Sequence, residues 1–343
     1  MRRWKLGLLL TLFLALLLAA QGCAGTAETV PTPAPDDATP GNANKDAVRW
    51  PQDKLTMNQD GIPTLKVYVV EEKKAREMDI ETYLQGVLAG EMKNDWPMEA
   101  LKAQAILART FVLKFAQEKK SRYEGADIST DVEEAQAYDA KEVDERIKQA
   151  VKETSGVVLA SQGELPYTWF HAHSGGMTAL AKEGLNWKEE EPPYTRVIES
   201  KEPAPDQVED SKELAQAAEW EATFSLEEFQ AACGKQKEGI KITQGSKLAI
   251  GQKGDSGRAV TISVDGEEVN AADLRIALDS TKMRSTLLTD ISKTAGKVTM
   301  SGKGYGHGVG MSQWGAYGMA AEGKQAKDII RHYFQQVEVV KLW

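Results

Sequence analysis

Cysteine is nearly absent: the 343-residue chain carries two, Cys23 and Cys233. If Cys23 is used at the N-terminus, as argued below, one thiol remains and cannot form an internal disulfide. The fold must then hold by its core, for which about 280 residues is ample. An excess of basic residues is also missing, since 42 Lys and Arg stand against 51 Asp and Glu for a formal charge of −9. Such an acidic chain is a poor candidate for binding nucleic acid. Histidine is scarce at four residues. His171 and His173 sit two apart and share a face if the backbone is extended. No cysteine or third histidine lies near them in sequence, so a metal centre is not expected. There is no fixed-period repeat. No stretch ends in the Gly-Lys-Ser/Thr of a phosphate loop or spaces glycines as a dinucleotide loop does.

What is present begins at the N-terminus. Met1-Arg2-Arg3-Trp4-Lys5 precedes an apolar run of 15 residues, Leu6 to Ala20. A spanning helix wants about 20 apolar residues, so the run reads as an export signal over residues 1–22, with an uncleaved anchor or simple secretion as alternatives. Ala20-Gln21-Gly22-Cys23 is similar to a bacterial lipobox, with Ala20 where leucine is usual. Acylation of Cys23 is therefore expected, tying the chain to the membrane through a lipid. Loss of Arg2, Arg3 and Lys5 with the leader takes the formal charge from −9 to −12. Residues 23–62 are rich in proline (Pro31, Pro33, Pro35, Pro40 and Pro51) and poor in large apolar side chains, which predicts a flexible tether. Residues 63–343 are expected to form one folded domain.

Its elements are partly legible. Residues 64–70 read as a strand. Ile80, Tyr83, Leu84, Val87 and Leu88 fall on one helical stripe ending near Gly90, and Pro97 starts a second helix. A polar helix over 141–154 follows. Residues 157–160 and 167–171 read as strands around a turn at Gln162-Gly163-Glu164. Ser225 and Glu228 have the spacing of a capping box, Asp265-Gly266 suits a hairpin turn after a strand over 257–264, and residues 274–278 look helical. Strands and helices mix without a βαβ rhythm, so the fold class is α+β with mainly antiparallel strands.

Two stretches carry the candidate chemistry. Glu91 sits at the junction of the first two helices, where a carboxylate can be half-buried and still reach a groove. Burial and the helix C-terminus behind it raise its pKa, the next helix's N-terminus lowers it, and the sign stays open, as does the reading of a plain surface carboxylate. Gln104 and Arg109 can line adjacent parts of the second helix, whose Ala100, Ala103, Ala105 and Ala108 allow close packing. Further on, five glycines alternate over residues 302–310. Lacking Cβ atoms, they let the backbone approach a ligand or another segment and adopt positive φ. Tyr305 and His307 share a face there. Ser312 can cap the following helix and Gly323 can end it. A last helix carries Ala326, Ile329, Ile330, Tyr333 and Phe334 on one stripe, with His332 as a packing or surface residue.

Together these stretches resemble the stage II sporulation protein D family, whose domain is shared with the lytic-B amidase enhancers. The matching residues run from Tyr83 to Met92, from Trp96 to Ala105, through Ala108-Arg109-Thr110 and Ser174-Gly175-Gly176-Met177-Thr178, and from Gly304 to Ala316. The resemblance implies a lytic transglycosylase acting on peptidoglycan glycan strands that an amidase has stripped of stem peptides, in septal or engulfment remodelling. Glu91 matches the family's catalytic Glu and is expected to be partly buried with a raised pKa. Arg109 matches the Arg of the same helix motif. Its two candidate roles are orienting Glu91 and binding the lactyl carboxylate of muramic acid, and the second is favoured because a direct salt bridge would depress the acid. Gln104, Ser174, Tyr305, His307, Ser312 and Gln313 are expected to contact the glycan. Some members bind zinc where this chain has Ser129, Glu134 and Ala135, so no metal or other cofactor is expected. The rival classes are a non-catalytic enhancer of a partner amidase and a wall-adhesion lipoprotein. Any of these would act outside the cytoplasmic membrane, in the wall.

Overall fold

The computed structural model describes residues 47–209 and 211–343. The expected leader, Cys23 and the expected tether up to residue 46 lie outside the described residues. The folded chain nevertheless starts earlier than residue 63. Val48 and Leu55 are buried in the main core, and the ring of Trp50 lies 5.7 Å from that of Trp343. The proline content that suggested a tether to residue 62 stops being informative at Pro51, because the apolar residues beside it have partners near the far end of the chain.

Strand β1 (Thr56–Met57) pairs antiparallel with β2 (Pro63–Val69), which pairs antiparallel with β3 (Lys74–Asp79). In β2 alternate residues Pro63, Leu65 and Val67 face the core, as a period of two requires. Helix α1 (Ile80–Glu91) is capped by the Asp79 carboxylate accepting from Thr82 N. All five residues of its apolar stripe are fully buried, each contributing about 1.5–3 kcal/mol. Helix α2 (Met98–Glu118) is buried along most of its length, its alanines allowing α1, α3 and two C-terminal helices to close around it. Strand β4 (Ile128–Ser129) adds to β2 in parallel, and α3 (Glu145–Glu153) follows, capped by Asp144.

Strands β5 (Val157–Ala160) and β6 (Phe170–His171) do not pair with each other, contrary to the sequence reading. The turn at Gln162-Gly163 closes only a bridge between Ser161 and Glu164. Beyond it the chain leaves to find remote partners, which no local pattern records. After α4 (Ala181–Leu185) and α5 (Ser211–Ala218) comes an excursion with its own core. It comprises β7 (Glu219–Ser225), α6 (Leu226–Gly234), β8 (Leu248–Ile250), β9 (Thr261–Val264), β10 (Glu267–Asn270), α7 (Ala271–Ala277), β11 (Leu288–Thr294) and β12 (Lys297–Lys303). Two three-stranded antiparallel sheets, β11-β12-β7 and β10-β9-β8, enclose Phe224, Phe229, Ile262, Leu274 and Met300. The expected single domain therefore has two hydrophobic clusters. The Ser225–Glu228 capping box and the Asp265-Gly266 hairpin turn form as read.

The chain then returns to the main core. Strand β13 (Met311–Ser312) pairs in parallel with β6, helices α8 (Gln313–Ala321) and α9 (Ala326–Tyr333) pack on α2, and β14 (Glu338–Lys341) closes antiparallel on β5. This return places Gln313 beside the end of α1. The α+β class holds.

Candidate active site

Glu91 is the last residue of α1 and is half-buried. Two glycines one turn apart on that helix explain what reaches it. A Cβ on Gly86 would run into the ring of Tyr138, and one on Gly90 would sit 2.6 Å from Tyr138 N. Without them, residues 137–139 lie directly on the helix, held by Asp139 N donating to Gly86 O at 2.9 Å. The Ala137 N–H then donates to Glu91 Oε1 at 2.7 Å. From the opposite side of the sequence, Gln313 Nε2 donates to Glu91 O at 3.2 Å and to Oε2 at 3.4 Å.

These forces compete. Burial pushes the Glu91 carboxyl up to about 7, while the Ala137 and Gln313 donors, which favour the anion, hold it down. Burial wins, which resolves the sign that helix ends alone left open. A carboxyl poised near neutrality can both give and accept a proton at the operating pH. Trp314, next to Gln313 in the chain, is buried in the main core with Trp96, their ring centres 4.6 Å apart, and Trp96 lies 5.2 Å from the ring of Tyr317.

The glycine contact yields a prediction. Gly90→Ala must push the 137–138 backbone away from α1, withdrawing the Ala137 N–H from Glu91. Activity of the folded protein on its substrate is expected to fall at least tenfold, the scale of one lost hydrogen bond to a charged group. A variant of unchanged turnover would show that the Ala137 donor is dispensable.

The other residues singled out in the sequence are placed variously. Gln313 meets Glu91. Ser312 caps α8, its Oγ accepting from Gly315 N at 3.2 Å and donating to Glu202 at 2.7 Å. Ser174 is fully buried and its Oγ accepts from Gly176 N. Gln104 is fully buried within α2, and its amide has no hydrogen-bond partner among the described residues. Tyr305 is buried under the Arg284 guanidinium, 5.3 Å from its ring centre.

His307 lies inside the protein rather than on a groove. Its Nδ1 accepts from Val309 N at 3.0 Å and its ring is 5.6 Å from that of His171. Burial, with Arg275 and Arg258 nearby, pulls it down to about 3, so it is neutral. The glycine run makes this burial possible by approaching another chain segment. Gly310, at φ +71°, leaves no room for a Cβ against Trp169 O.

Arg109 also departs from its expected role. It is fully buried, and its Nε and Nη2 grip Glu81 at 3.0 and 2.5 Å while Nη1 donates to Val157 O at 3.0 Å. Glu81 further accepts from Ser155 Oγ and Gly156 N. A guanidinium so enclosed joins α1, α2 and the start of β5. It cannot meet a lactyl carboxylate without breaking that pair.

At the positions that the family resemblance associated with zinc, Ser129 Oγ accepts from Asp131 N, and the Glu134 carboxylate accepts from Ser121 Oγ at 3.0 Å and Arg122 N at 2.5 Å. Among the described residues no group of His, Cys, Asp and Glu is arranged to hold a metal ion. Sequence reading missed the Ala137 amide and the roles of Gly86 and Gly90. The second had a signal, since two glycines four apart inside an otherwise apolar helix mark a close approach.

A family profile described as stage II sporulation protein matches residues 68–160, which include both helices of the site. One described as a domain of unknown function matches residues 179–310. The chain is 31% identical over 297 residues to Stage II sporulation protein D of Bacillus amyloliquefaciens, covering 81% of this chain and 80% of that protein. It is 32% identical over 268 residues to an uncharacterized protein of Brachyspira hyodysenteriae, covering 77% and 67%. It is 28% identical over 288 residues to an amidase enhancer of Bacillus subtilis, covering 73% of this chain but 39% of that protein.

Proposed function

The chain belongs to the stage II sporulation protein D family, and from that premise we propose that it is a peptidoglycan lytic transglycosylase with Glu91 as its single acid–base. The observation that carries this reading is the Glu91 environment: a half-buried carboxyl pushed up to about 7, with the Ala137 amide and the Gln313 side chain as hydrogen-bond partners. Hydrolytic glycosidases ordinarily use two carboxyl groups. A transglycosylase that uses the sugar's own hydroxyl needs one.

Protonated Glu91 gives its proton to the glycosidic oxygen as the bond from muramic acid C1 to the GlcNAc O4 breaks. The C6 hydroxyl of the same muramic acid then bonds to C1 and surrenders its proton to the Glu91 carboxylate. The products are a free GlcNAc 4-hydroxyl and a 1,6-anhydro-muramoyl end, and the acid is regenerated. Proton transfer of this kind contributes about 10²–10⁴-fold, and holding the C6 oxygen near C1 adds proximity. In this reading an acylated Cys23 holds the domain on the outer face of the membrane, and a partner amidase supplies stripped strands.

The first step needs the protonated form, so activity is expected to decline above the Glu91 pKa. We expect kcat/KM to fall tenfold per pH unit beyond about pH 7. A profile flat to pH 9 would remove Glu91 as the acid.

The similarity to an amidase enhancer favours one alternative, a wall-binding protein that stimulates an amidase without cutting glycan. Mass spectrometry of amidase-stripped strands incubated with the mature protein separates the two. Anhydro-muramoyl ends support the transglycosylase; intact strands with retained binding support the enhancer.

A further inference from the structure

Glu202 lies in the loop before α5 and belongs to no motif recognised in the sequence, yet its side chain is only 5% exposed. One carboxylate oxygen accepts from Ser174 N at 2.6 Å and Ser312 Oγ at 2.7 Å; the other accepts from Gly176 N at 3.0 Å. Three donors from two remote segments thus converge on one carboxylate. Ser312 is the N-cap of α8, and the positive end of that helix favours an anion there. The next residue, Gln313, is the one that reaches Glu91.

We infer that Glu202 is a positioning residue for Glu91: by holding Ser312 it sets the start of α8, and through it the Gln313 amide on the Glu91 carboxyl. This rests on the proposal that Glu91 is the reacting group, but the coupling itself does not. The other titratable or charged groups near Glu202, namely Tyr333, His173 and Arg258, leave the path intact; the Tyr333 hydroxyl is paired with Ser200 Oγ at 2.8 Å. His173 Nδ1 lies 3.6 Å away, but that nitrogen accepts from Gly175 N and so carries no proton on that side. Arg258, buried in the same region, spends its guanidinium on Ser174 O, Met177 O and Ser256 Oγ.

The physical consequence has a sign. Gln313 favours the Glu91 anion, so anything that slackens Gln313 raises the Glu91 pKa. A carboxylate that only braced its own loop would leave Glu91 unmoved.

The test is a carbon-13 NMR titration of the Glu91 carboxyl, assigned with Glu91→Gln, in otherwise intact mature protein. Glu202→Gln puts an amide donor where donors already point, and Ser312→Ala cuts the link at its second atom. Both are expected to move the Glu91 midpoint up by about 0.5–1 pH unit, less than a full hydrogen bond to a charged group because the Gln313 contact to the carboxylate is long at 3.4 Å and is slackened rather than removed. Ser312→Thr, which keeps the hydroxyl, is expected to match the wild type. Gln313→Ala should give the same upward shift, with no further increase when combined with Ser312→Ala. A wild-type midpoint in folded Glu202→Gln and Ser312→Ala, alongside a shifted Gln313→Ala, would overturn the inference. If Glu202→Gln does not fold, the Ser312 pair decides. Wild-type protein that cuts no glycan would defeat the enzyme reading while leaving this titration to judge the coupling.

Discussion

Glu91→Gln is expected to lower glycan cleavage by about 10²–10⁴-fold and, at the same time, to make the protein more stable above pH 7. Both effects come from one cause. Burial raises the carboxyl from 4.5 to about 7, so between those values the folded state holds a proton that the unfolded chain has released. Stability therefore falls as pH rises through this window, and the full cost is present above pH 7. At about 1.4 kcal/mol per unit, reduced because the residue is only half-buried, that cost is on the order of 1–3 kcal/mol. Glutamine never ionises and removes it. Denaturation at pH 5 and pH 8 should show the variant close to wild type at the first and more stable at the second, while product analysis shows no anhydro ends. Equal activity would end the catalytic assignment; an equal pH dependence of stability would end the claim that burial dominates the Glu91 environment.

Arg109→Met is expected to cost about 3–5 kcal/mol of folding stability, because it strands the Glu81 carboxylate in a dry site with its counter-charge gone. Since a domain is stable by roughly 5–15 kcal/mol, much of the variant should be unfolded at modest denaturant. Replacing both partners with apolar residues, Glu81→Leu with Arg109→Met, should recover a large part of the loss, since an absent pair leaves no uncompensated charge. Urea midpoints for the four proteins of this cycle measure the coupling. A substrate-binding Arg109 would behave otherwise, raising KM with stability untouched, and that outcome would return it to the glycan site.

These two residues show where local reading works and where it stops. The α1 stripe, the Ser225 and Ser312 caps, the Asp265-Gly266 turn and the helix end at Glu91 were legible because each is decided by residues within a few positions. Arg109 was judged against Glu91 because both belong to one motif, whereas its partner Glu81 begins the same helix that Glu91 ends. His307 was expected at a groove because glycines surround it, but the space they leave is filled by the backbone around Trp169 and by Arg258. The start of the fold was set too late because Trp50 and Val48 find their partners in tertiary space.

By itself, then, the sequence determined the family, the α+β class, the two central helices and the junction that presents Glu91, all properties of periodicity, capping and motif. Only the tertiary structure decided the proton affinity of Glu91, the pairing of β5 with the C-terminal strand and of β6 with β13, the enclosure of Arg109, and the path from Glu202 through Ser312 to Gln313. The reason is physical: hydrogen bonds and burial act through space, and the groups that tune Glu91 lie 46 and 222 residues from it along the chain.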